Sequence, residues 1–303
     1  MSRRNPKGRE INGIVLLDKD TGLSSNAALQ KVKRLFFAKK AGHTGSLDPL
    51  ASGILPICLG QATKVAQFLL DDDKRYFVRG KLGGISDTGD CEGKIIHTQE
   101  YKHLDEAAII AAAMSFKGDI LQVPPMYSAL KKDGQPLYKL ARKGIEIERP
   151  ARPVTIHNID FISYEKGVIT LDVSCSKGTY IRSLIQDIGN KLGCGAHVIE
   201  LRRTGFAHID IAEAITFSEL EALATDDYKQ LDVCIFPSEQ MLPNIKEVSL
   251  NEAQTIDIRY GRSTQHSEQG SSHKVKLFDQ NQVFLGVGEL SEDGMIQPKR
   301  LFV

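Results

Sequence analysis

The stretch GHTGSLDPLASGILPI, residues 42–57, places one aspartate, Asp48, among small residues, glycines and prolines. Five of its sixteen positions are glycine or proline, which impose backbone angles, so the stretch is predicted to be a constrained loop between two apolar elements. A loop of this kind holds a side chain in a fixed direction. Because Asp-Pro is also common in turns, Asp48 either caps a turn or is presented for chemistry.

The sequence before this loop predicts a strand followed by a helix. Residues 14–17, IVLL, form a short apolar run that ends at a turn, and Ser24 or Ser25 is suited to cap the helix that follows. Three apolar residues recur at helical spacing and predict its core face, Leu29, Val32 and Phe36. Five basic residues follow without an intervening acid, Lys31, Lys33, Arg34, Lys39 and Lys40. That run fits a solvated face and an anion-facing surface equally well.

The rest of the first 200 residues mixes helical and strand patterns without regular alternation. The patterns predict a helix over 62–70, a strand over 74–83, a helix over 105–116, a hairpin over 153–175 and a helix over 178–193. A mixture of this kind favours the α+β class, with a mixed, largely antiparallel sheet and flanking helices.

The C-terminal part of the chain differs in pattern from the part before it. Residues 226–247 are predicted to be a connector, and the short apolar runs after it predict a small β-rich module. The expected organisation is therefore a domain over 1–247, with a basic N-terminal tail, and a module over 248–303.

Composition sets broad limits on what the protein does. The chain has 303 residues, a net charge of +1 and five scattered cysteines without a CxxC pair. This cysteine usage predicts buried free thiols in a reducing compartment, and no apolar run approaches the ~20 residues of a membrane span. We therefore expect a cytoplasmic protein that lies outside the membrane. With a charge near zero, nucleic-acid binding would depend on local basic patches.

Several common chemistries lack their motifs. There is no Walker loop and no strand–GxGxxG–helix unit, so no nucleotide cofactor is expected. The segment SDTGDCEG, residues 86–93, does not fit a calcium loop, and its acids Asp87, Asp90 and Glu92 are predicted to lie in an exposed turn. Cys194 and His197 form one Cys-x-x-His pair without a second pair. The expectation is that the protein uses no metal and no other cofactor.

Basic and aromatic residues occur together in several segments. Basic surface is predicted in residues 138–152, YKLARKGIEIERPAR, and in LRR, residues 201–203. Tyrosines stand beside basic residues in KRYF and KGTYIR. Bases of looped RNA stack on such rings while arginines contact phosphates, although each segment alone also fits an ordinary strand or surface.

Three segments together resemble the conserved motifs of the TruB family of tRNA pseudouridine synthases. GHTGSLDPLASGILPICLGQATK resembles the family's catalytic-aspartate motif, and DKRYFVRGKLG and CSKGTYIRSLIQDIG are similar to the other two motifs, in the same order. GCGAHVIELRR matches the segment that follows them. The resemblance covers roughly residues 10–210, and the tail is more loosely similar to the PUA-like RNA-binding module of bacterial members.

The resemblance implies a fold, a reaction and three catalytic residues. The fold is that of the pseudouridine synthases, and the reaction converts uridine 55 of the tRNA T-loop into pseudouridine after base flipping. Asp48 corresponds to the nucleophile, Arg182 to its cationic partner, and Tyr76 to a tyrosine that stacks on the base and takes part in proton transfer. Because the reaction is an isomerisation of one uracil, it requires no cofactor.

Four further residues match substrate-binding positions of the family. Tyr180 and Leu201 correspond to pocket walls, and His43 to a histidine against the loop vacated by the flipped bases. His43 also fits a structural loop histidine. Lys64 matches a motif position whose role is left open between loop support and phosphate contact.

The implied partner is tRNA, bound at its T-loop and T-stem, with its acceptor end on the C-terminal module, and a monomer is expected. An alternative from another class is a non-catalytic RNA-binding or RNA-folding protein. A glycosidase is less consistent with the sequence, because it usually needs two nearby catalytic carboxylates and no second acid of that kind stands out.

Overall fold

A computed structural model describes residues 7–225, 227–267 and 271–302. The first six residues, where the predicted basic tail begins, lie outside the described residues. Helices in the described chain are α1 (Ser25–Leu35), α2 (Ala66–Leu69), α3 (Glu106–Met114), α4 (Leu137–Ala141), α5 (Ile181–Lys191), α6 (Phe217–Leu223), α7 (Lys229–Asp232) and α8 (Glu252–Arg259). Short 3₁₀ turns cover Gly60–Lys64, Ile211–Glu213 and Ser238–Met241.

Strands account for most of the remaining regular structure. Up to the end of the hairpin they are β1 (Gly13–Lys19), β2 (Ala41–His43), β3 (Ser52–Leu59), β4 (Lys74–Leu82), β5 (Gly84–Ser86), β6 (Ile95–Thr98), β7 (Gly118–Gln122), β8 (Lys131–Lys132), β9 (Gln135–Pro136), β10 (Arg152–Glu165) and β11 (Val168–Cys175). After the hairpin they are β12 (Ala196–Phe206), β13 (Ile209–Asp210), β14 (Ile215–Thr216), β15 (Lys246–Ser249), β16 (Thr264–Gln265), β17 (His273–Phe278), β18 (Phe284–Leu290) and β19 (Met295–Leu301).

One large sheet organises the first 216 residues. Its strand order is β14-β1-β3-β12-β4-β11-β10-β7, with β2 attached to β3 and β13 to β12. The pairs β1–β14 and β3–β12 are parallel and the other pairs along this path are antiparallel. The predicted α+β class with a mixed, largely antiparallel sheet is confirmed.

Strand β1 is buried on both faces of this sheet, which explains its unbroken apolar run. Val15 and Leu17 face a core formed with α1, α3 and α5, whereas Ile14 and Leu16 face a second core on the other side. A strand covered on both faces does not alternate between apolar and polar residues. Within the described residues, no helix is long and apolar enough to cross a membrane.

The second core joins the C-terminal segment to the large sheet. Strands β15–β19 form a five-stranded sheet in the order β15-β17-β18-β19-β16. Val287 of this sheet is fully buried in the same cluster as Ile14 and Leu16, and Phe284 and Phe302 pack against that cluster. The segment also contains α8, which the strand-like patterns did not predict. Its start is marked by Asn251 and Gln254, which form a capping box.

The predicted connector over 226–247 is packed against the large sheet along much of its length. Leu231 of α7 has no exposed surface. Phe236 exchanges two backbone hydrogen bonds with Ile14, of 2.9 and 2.8 Å. Where the described part of this segment touches β1, it is therefore an extension of the core and does not behave as an open linker.

The loop predicted over 42–57 is shorter in the structure, because β3 begins at Ser52. Gly53 makes this strand possible: its φ is +102°, and a Cβ added there would lie 2.2 Å from the carbonyl oxygen of Arg203. Only glycine permits β3 and β12 to approach so closely. The irregular segment that remains, residues 44–51, stands at the end of β3 beside β12.

Candidate active site

A cavity of about 350 Å³ lies between the loop over 44–51 and the start of α5. Strands β4 and β12, the segment 127–129 and the residues after β11 contribute to its other walls. The predicted residues that line it are Asp48, Tyr76, Tyr180, Arg182 and Leu201. The structure thus brings together five of the seven site residues that the sequence predicted, from four separate segments of the chain.

Arg182 is the residue that connects these segments. It is the second residue of α5, is only 4% exposed, and lies with its Nε 2.9 Å from Oδ2 of Asp48. Its other nitrogens donate to the carbonyl oxygens of Thr88 and Tyr127, both at 2.7 Å. These three contacts fix both the position and the plane of the guanidinium, so Asp48 faces a cation that is held in place.

Asp90 is a second carboxylate beside Arg182, and the prediction that it lies in an exposed turn is wrong. Only 3% of Asp90 is exposed, and its Oδ2 is 3.5 Å from Nη1 of Arg182. Its Oδ1 accepts from the Thr88 hydroxyl at 2.6 Å and from the Glu92 amide at 3.1 Å. The glycine-flanked acidic segment was visible in the sequence, but the partner that buries Asp90 comes from a distant helix.

The surroundings of Asp48 oppose its ionisation. Burial raises the pKa of its carboxyl group above the ordinary value, and the negative charge of Asp90 raises it further. The Arg182 guanidinium acts in the opposite direction and partly offsets the effect of burial. Asp48 is therefore a carboxylate whose charge depends on its partner.

Two tyrosines and a leucine form the walls around this carboxylate. Tyr76 lies on β4 opposite Arg203 of β12, and Leu201 lies two residues before Arg203. Burial raises the pKa of both Tyr76 and Tyr180, whereas the Arg203 charge lowers that of Tyr76. Both hydroxyl groups therefore stay protonated at neutral pH. Flat rings beside an apolar side chain make a surface on which a base can stack.

The side chain of Gln122 fixes the backbone of Tyr180. Gln122, at the end of β7, is 2% exposed; it accepts from the Tyr180 amide at 2.8 Å and donates to the Tyr180 carbonyl at 3.1 Å. Helix α5 has no side-chain N-cap at Tyr180. The edge strand of the sheet thus holds the start of the helix that carries Arg182, an arrangement that the sequence pattern did not reveal.

The other two predicted site residues, His43 and Lys64, are not among the residues that line the cavity. His43 lies on β2 directly before the loop, and its Nδ1 donates to the Gly45 carbonyl at 2.6 Å. Burial lowers the pKa of His43, and the Arg203 charge lowers it further. Lys64 donates from Nζ to the Leu301 carbonyl at 2.7 Å, so it contacts the C-terminal sheet.

The cavity also carries positive charge that sequence reasoning did not assign to it. Arg203 was predicted to be basic surface, which is wrong, because only 1% of it is exposed and it lines the cavity. Lys74 lines the same cavity, and burial lowers its pKa to about 8. Lys19, fully buried nearby, donates to the carbonyls of Asp20 and Leu23, both at 2.8 Å. Within the described chain, no group of three His, Cys, Asp or Glu side chains gathers as around a metal ion.

Free cysteines are distributed mostly as predicted. Cys58, Cys175 and Cys194 are buried, Cys234 is half-buried and Cys91 is exposed. The prediction of buried thiols is therefore wrong for Cys91, which follows Asp90 directly and projects from the same turn.

Comparisons with known proteins agree with this geometry. The model of the TruB family pseudouridylate synthase N-terminal domain matches residues 33–181, that of the tRNA pseudouridylate synthase B C-terminal domain matches 182–243, and that of the pseudouridine synthase II TruB C-terminal region matches 247–302. The tRNA pseudouridine synthase B of Shewanella sp. strain MR-4 is 50% identical over 100% of this chain and 98% of the relative. That of Actinobacillus pleuropneumoniae serotype 5b strain L20 is 49% identical over 99% of each chain.

A solved structure supports the fold independently. A chain from the crystal structure of a Cbf5–Nop10–Gar1 complex has a TM-score of 0.71 and 25% identity, over 96% of this chain and 85% of that one. The likeness extends over both sheets, because so little of this chain is left outside it.

Proposed function

The chain belongs to the TruB family of pseudouridylate synthases, and we propose that it isomerises uridine 55 in the T-loop of tRNA to pseudouridine. The observation that carries the proposal is the contact between Asp48 and Arg182 at the bottom of a cavity lined by two tyrosines. A carboxylate held against a fixed cation in such a pocket suits covalent catalysis, and a protein that only binds RNA has no need of it. The names of the full-length relatives support tRNA as the substrate.

The reaction requires the target nucleotide to leave the stacked loop. A cavity of about 350 Å³ admits one nucleotide, and a base inside a stacked T-loop could not reach Asp48. Tyr76 provides a ring for the flipped uracil, and Tyr180 and Leu201 close the walls around it. His43, next to the loop, is positioned to contact the space that the flipped bases leave.

The chemistry breaks the N1–C1′ bond and forms a C5–C1′ bond, after which C5 loses its proton and N1 gains one, so that the product is an isomer of the substrate. Asp48 acts as the nucleophile, toward either the sugar C1′ or the base C6. Arg182 lowers the pKa of Asp48 and so favours the ionised carboxylate, against the larger effect of burial. The hydroxyl of Tyr76 takes part in the proton transfer, since it lies in the cavity and remains protonated until a base removes its proton.

The C-terminal residues form a second contact for the same RNA. We divide the chain into a catalytic domain over 1–247 and a PUA-like module over 248–303, and assign to the module the acceptor end of tRNA. Tyr260, directly after α8, is 76% exposed, with the Arg262 guanidinium 5.3 Å from its ring centre. Lys64 and Arg300 line a nearby groove, so a ring for stacking stands beside cations for phosphates. Lys64 also supports the junction itself.

All residues assigned here come from one chain, so we propose that the protein acts as a monomer, in the cytoplasm where tRNA is found. The test is incubation of the purified protein with an unmodified tRNA transcript, followed by mapping of pseudouridine. Conversion at position 55, and its loss in a transcript with cytidine at that position, would support the proposal. RNA binding without any pseudouridine would instead favour the non-catalytic alternative.

A further inference from the structure

Arg203 and Lys74 form a pair of cations on one wall of the cavity. Both side chains stand over the ring of Phe206: the Arg203 Cζ lies 5.5 Å from the ring centre and the Lys74 Nζ lies 5.2 Å from it. The charge on Arg203 is one of the causes that lower the pKa of Lys74, after burial. Two like charges are thus held close together in a partly buried site, which costs free energy unless an anion joins them.

No carboxylate of the described chain joins these two cations, although the charges of Asp72 and Asp73 act on Lys74 and raise its pKa. Arg203 donates from Nε to the Ile54 carbonyl at 2.6 Å, and its buried Nη2 has no hydrogen-bond partner among the described residues. Lys74 donates to the carbonyls of Leu70 and Asp72, and neither cation forms an ion pair within the described chain. A buried guanidinium with a free N–H and no carboxylate is unusual, because ionised groups inside proteins are normally paired.

We infer that Arg203 and Lys74 bind the phosphate group that enters the cavity together with the flipped nucleotide. The inference rests on the proposed function, since it takes the occupant to be an RNA nucleotide. Each nucleotide carries one permanently charged phosphate, which matches a fixed pair of cations. Uracil has no charge before the reaction begins, so a base oxygen would compensate neither cation, whereas a phosphate offers one negative charge that both cations can share. Lys74 lines the cavity and is only half-buried, so its ammonium group is accessible to an RNA backbone from solvent.

The test measures the affinity for T-arm stem-loops in which one phosphate at a time is replaced by an uncharged methylphosphonate. All arms use an Asp48→Asn background, so that the RNA is not converted during the titration. Arg203→Gln and Lys74→Gln remove the charges. Arg75→Gln is the matched control, because Arg75 adjoins Lys74 on β4 but projects from the other face and pairs with Asp210.

One linkage next to the target uridine should behave differently from the rest. Its replacement should weaken RNA binding about 10-fold in the Asp48→Asn parent, which retains both cations. In the Arg203→Gln and Lys74→Gln proteins the same replacement should cause little further loss of affinity. The Arg75→Gln protein should respond as its parent does. If the loss of affinity from the methylphosphonate and the loss from the substitution were additive at every linkage, the inference would be overturned. If Arg203→Gln does not fold, Lys74→Gln decides, since Lys74 is only half-buried.

Two controls separate this inference from its premise. Conversion of the unmodified stem-loop by the protein with Asp48 intact tests the proposed function alone. If no pseudouridine forms but the effect of one linkage on affinity still depends on Arg203 and Lys74, the proposed function is wrong and the phosphate site stands. An RNA with an abasic target residue tests a base contact: if the loss caused by Arg203→Gln vanishes there, Arg203 binds the base and the phosphate assignment fails.

Discussion

Arg182 donates from Nε to Oδ2 of Asp48 across 2.9 Å, and this contact ties the loop before β3 to the first turn of α5. The pair is unsymmetrical. Arg182 is buried and held by two backbone carbonyls, whereas the Asp48 side chain opens onto the cavity. The arginine is therefore the fixed part, and the aspartate is the part that is free to react.

The first prediction concerns Asp48 itself. Asp48→Asn is nearly isosteric and should leave the melting temperature almost unchanged, but an amide is a poor nucleophile. The single-turnover rate of pseudouridine formation should fall by several orders of magnitude, while tRNA affinity changes little. Asp160→Asn, at an exposed position on β10, is the control and should react normally. Substantial product from well-folded Asp48→Asn protein would exclude Asp48 as the nucleophile.

The second prediction concerns Asp90. Its charge is one cause of the raised pKa of Asp48, so Asp90→Asn should move the acid limb of the pH–rate profile to lower pH. The rate at neutral pH should fall ~10-fold or more, because Arg182 loses one of its charged partners. Asp87→Asn, in the same turn but exposed, should leave the profile unchanged. An unshifted acid limb in Asp90→Asn would contradict the electrostatic coupling.

The third prediction concerns the hydroxyl of Tyr76. Tyr76→Phe keeps the ring and should bind RNA normally, but it removes the group assigned to proton transfer. Single-turnover rates should fall by ~100-fold or more if that transfer is catalysed. Tyr101→Phe is the control, since Tyr101 packs against the main core without lining the cavity. Rates near those of the unaltered protein would restrict Tyr76 to stacking.

The fourth prediction concerns the C-terminal module. Removing the whole module would expose Ile14 and Leu16, which share a core with Val287, so a point substitution is the cleaner test. Tyr260→Ala should weaken binding of full-length tRNA about 10-fold, a loss typical of one stacked base. Binding of an isolated T-arm stem-loop, which has no acceptor end, should not change. Equal losses for both RNAs would place the contact elsewhere.

The fifth prediction concerns stability and pH. Burial lowers the pKa of Lys19 from 10.5 to about 8, so between these values the unfolded chain holds more protons than the folded one. The free energy of unfolding should therefore rise with pH from about 8 toward 10.5, with a further contribution from Lys74. Urea denaturation of Lys19→Met should show a smaller slope. The same slope in both proteins would mean that Lys19 titrates normally.

Local patterns were sufficient for much of the fold and for part of the site. Helix α1 begins after Ser24, which accepts from the Ala27 amide, and β1 and the hairpin of β10 and β11 lie where the sequence predicted them. The residues alone left Asp48 open between a turn cap and a catalytic group. It was the family resemblance that singled out Asp48, Tyr76 and Arg182 for catalysis, and these roles remain predictions.

The sequence failed where burial depends on a distant partner. Asp90 and Arg203 stand in segments typical of an exposed turn and a basic surface, yet both are buried. Asp90 is buried against Arg182. Arg203 is buried against β3, because Gly53 allows β3 to lie close to β12. Neither contact leaves a trace in the spacing of nearby residues, because the groups that meet are far apart in the chain.

The packing of the C-terminal sheet onto the large sheet has a consequence for which RNAs are accepted. Val287 is buried among residues of β1 and β3, and Lys64 holds Leu301, so the cavity and the exposed Tyr260 belong to one frame. Because the two sites are held at a fixed separation, the protein fits an RNA whose two contacted features lie that far apart. Adding a base pair to the A-form stem between those features moves them apart along the helix axis and rotates one about the other. Stem length would then decide which RNAs can contact both the cavity and Tyr260, whatever their base sequence.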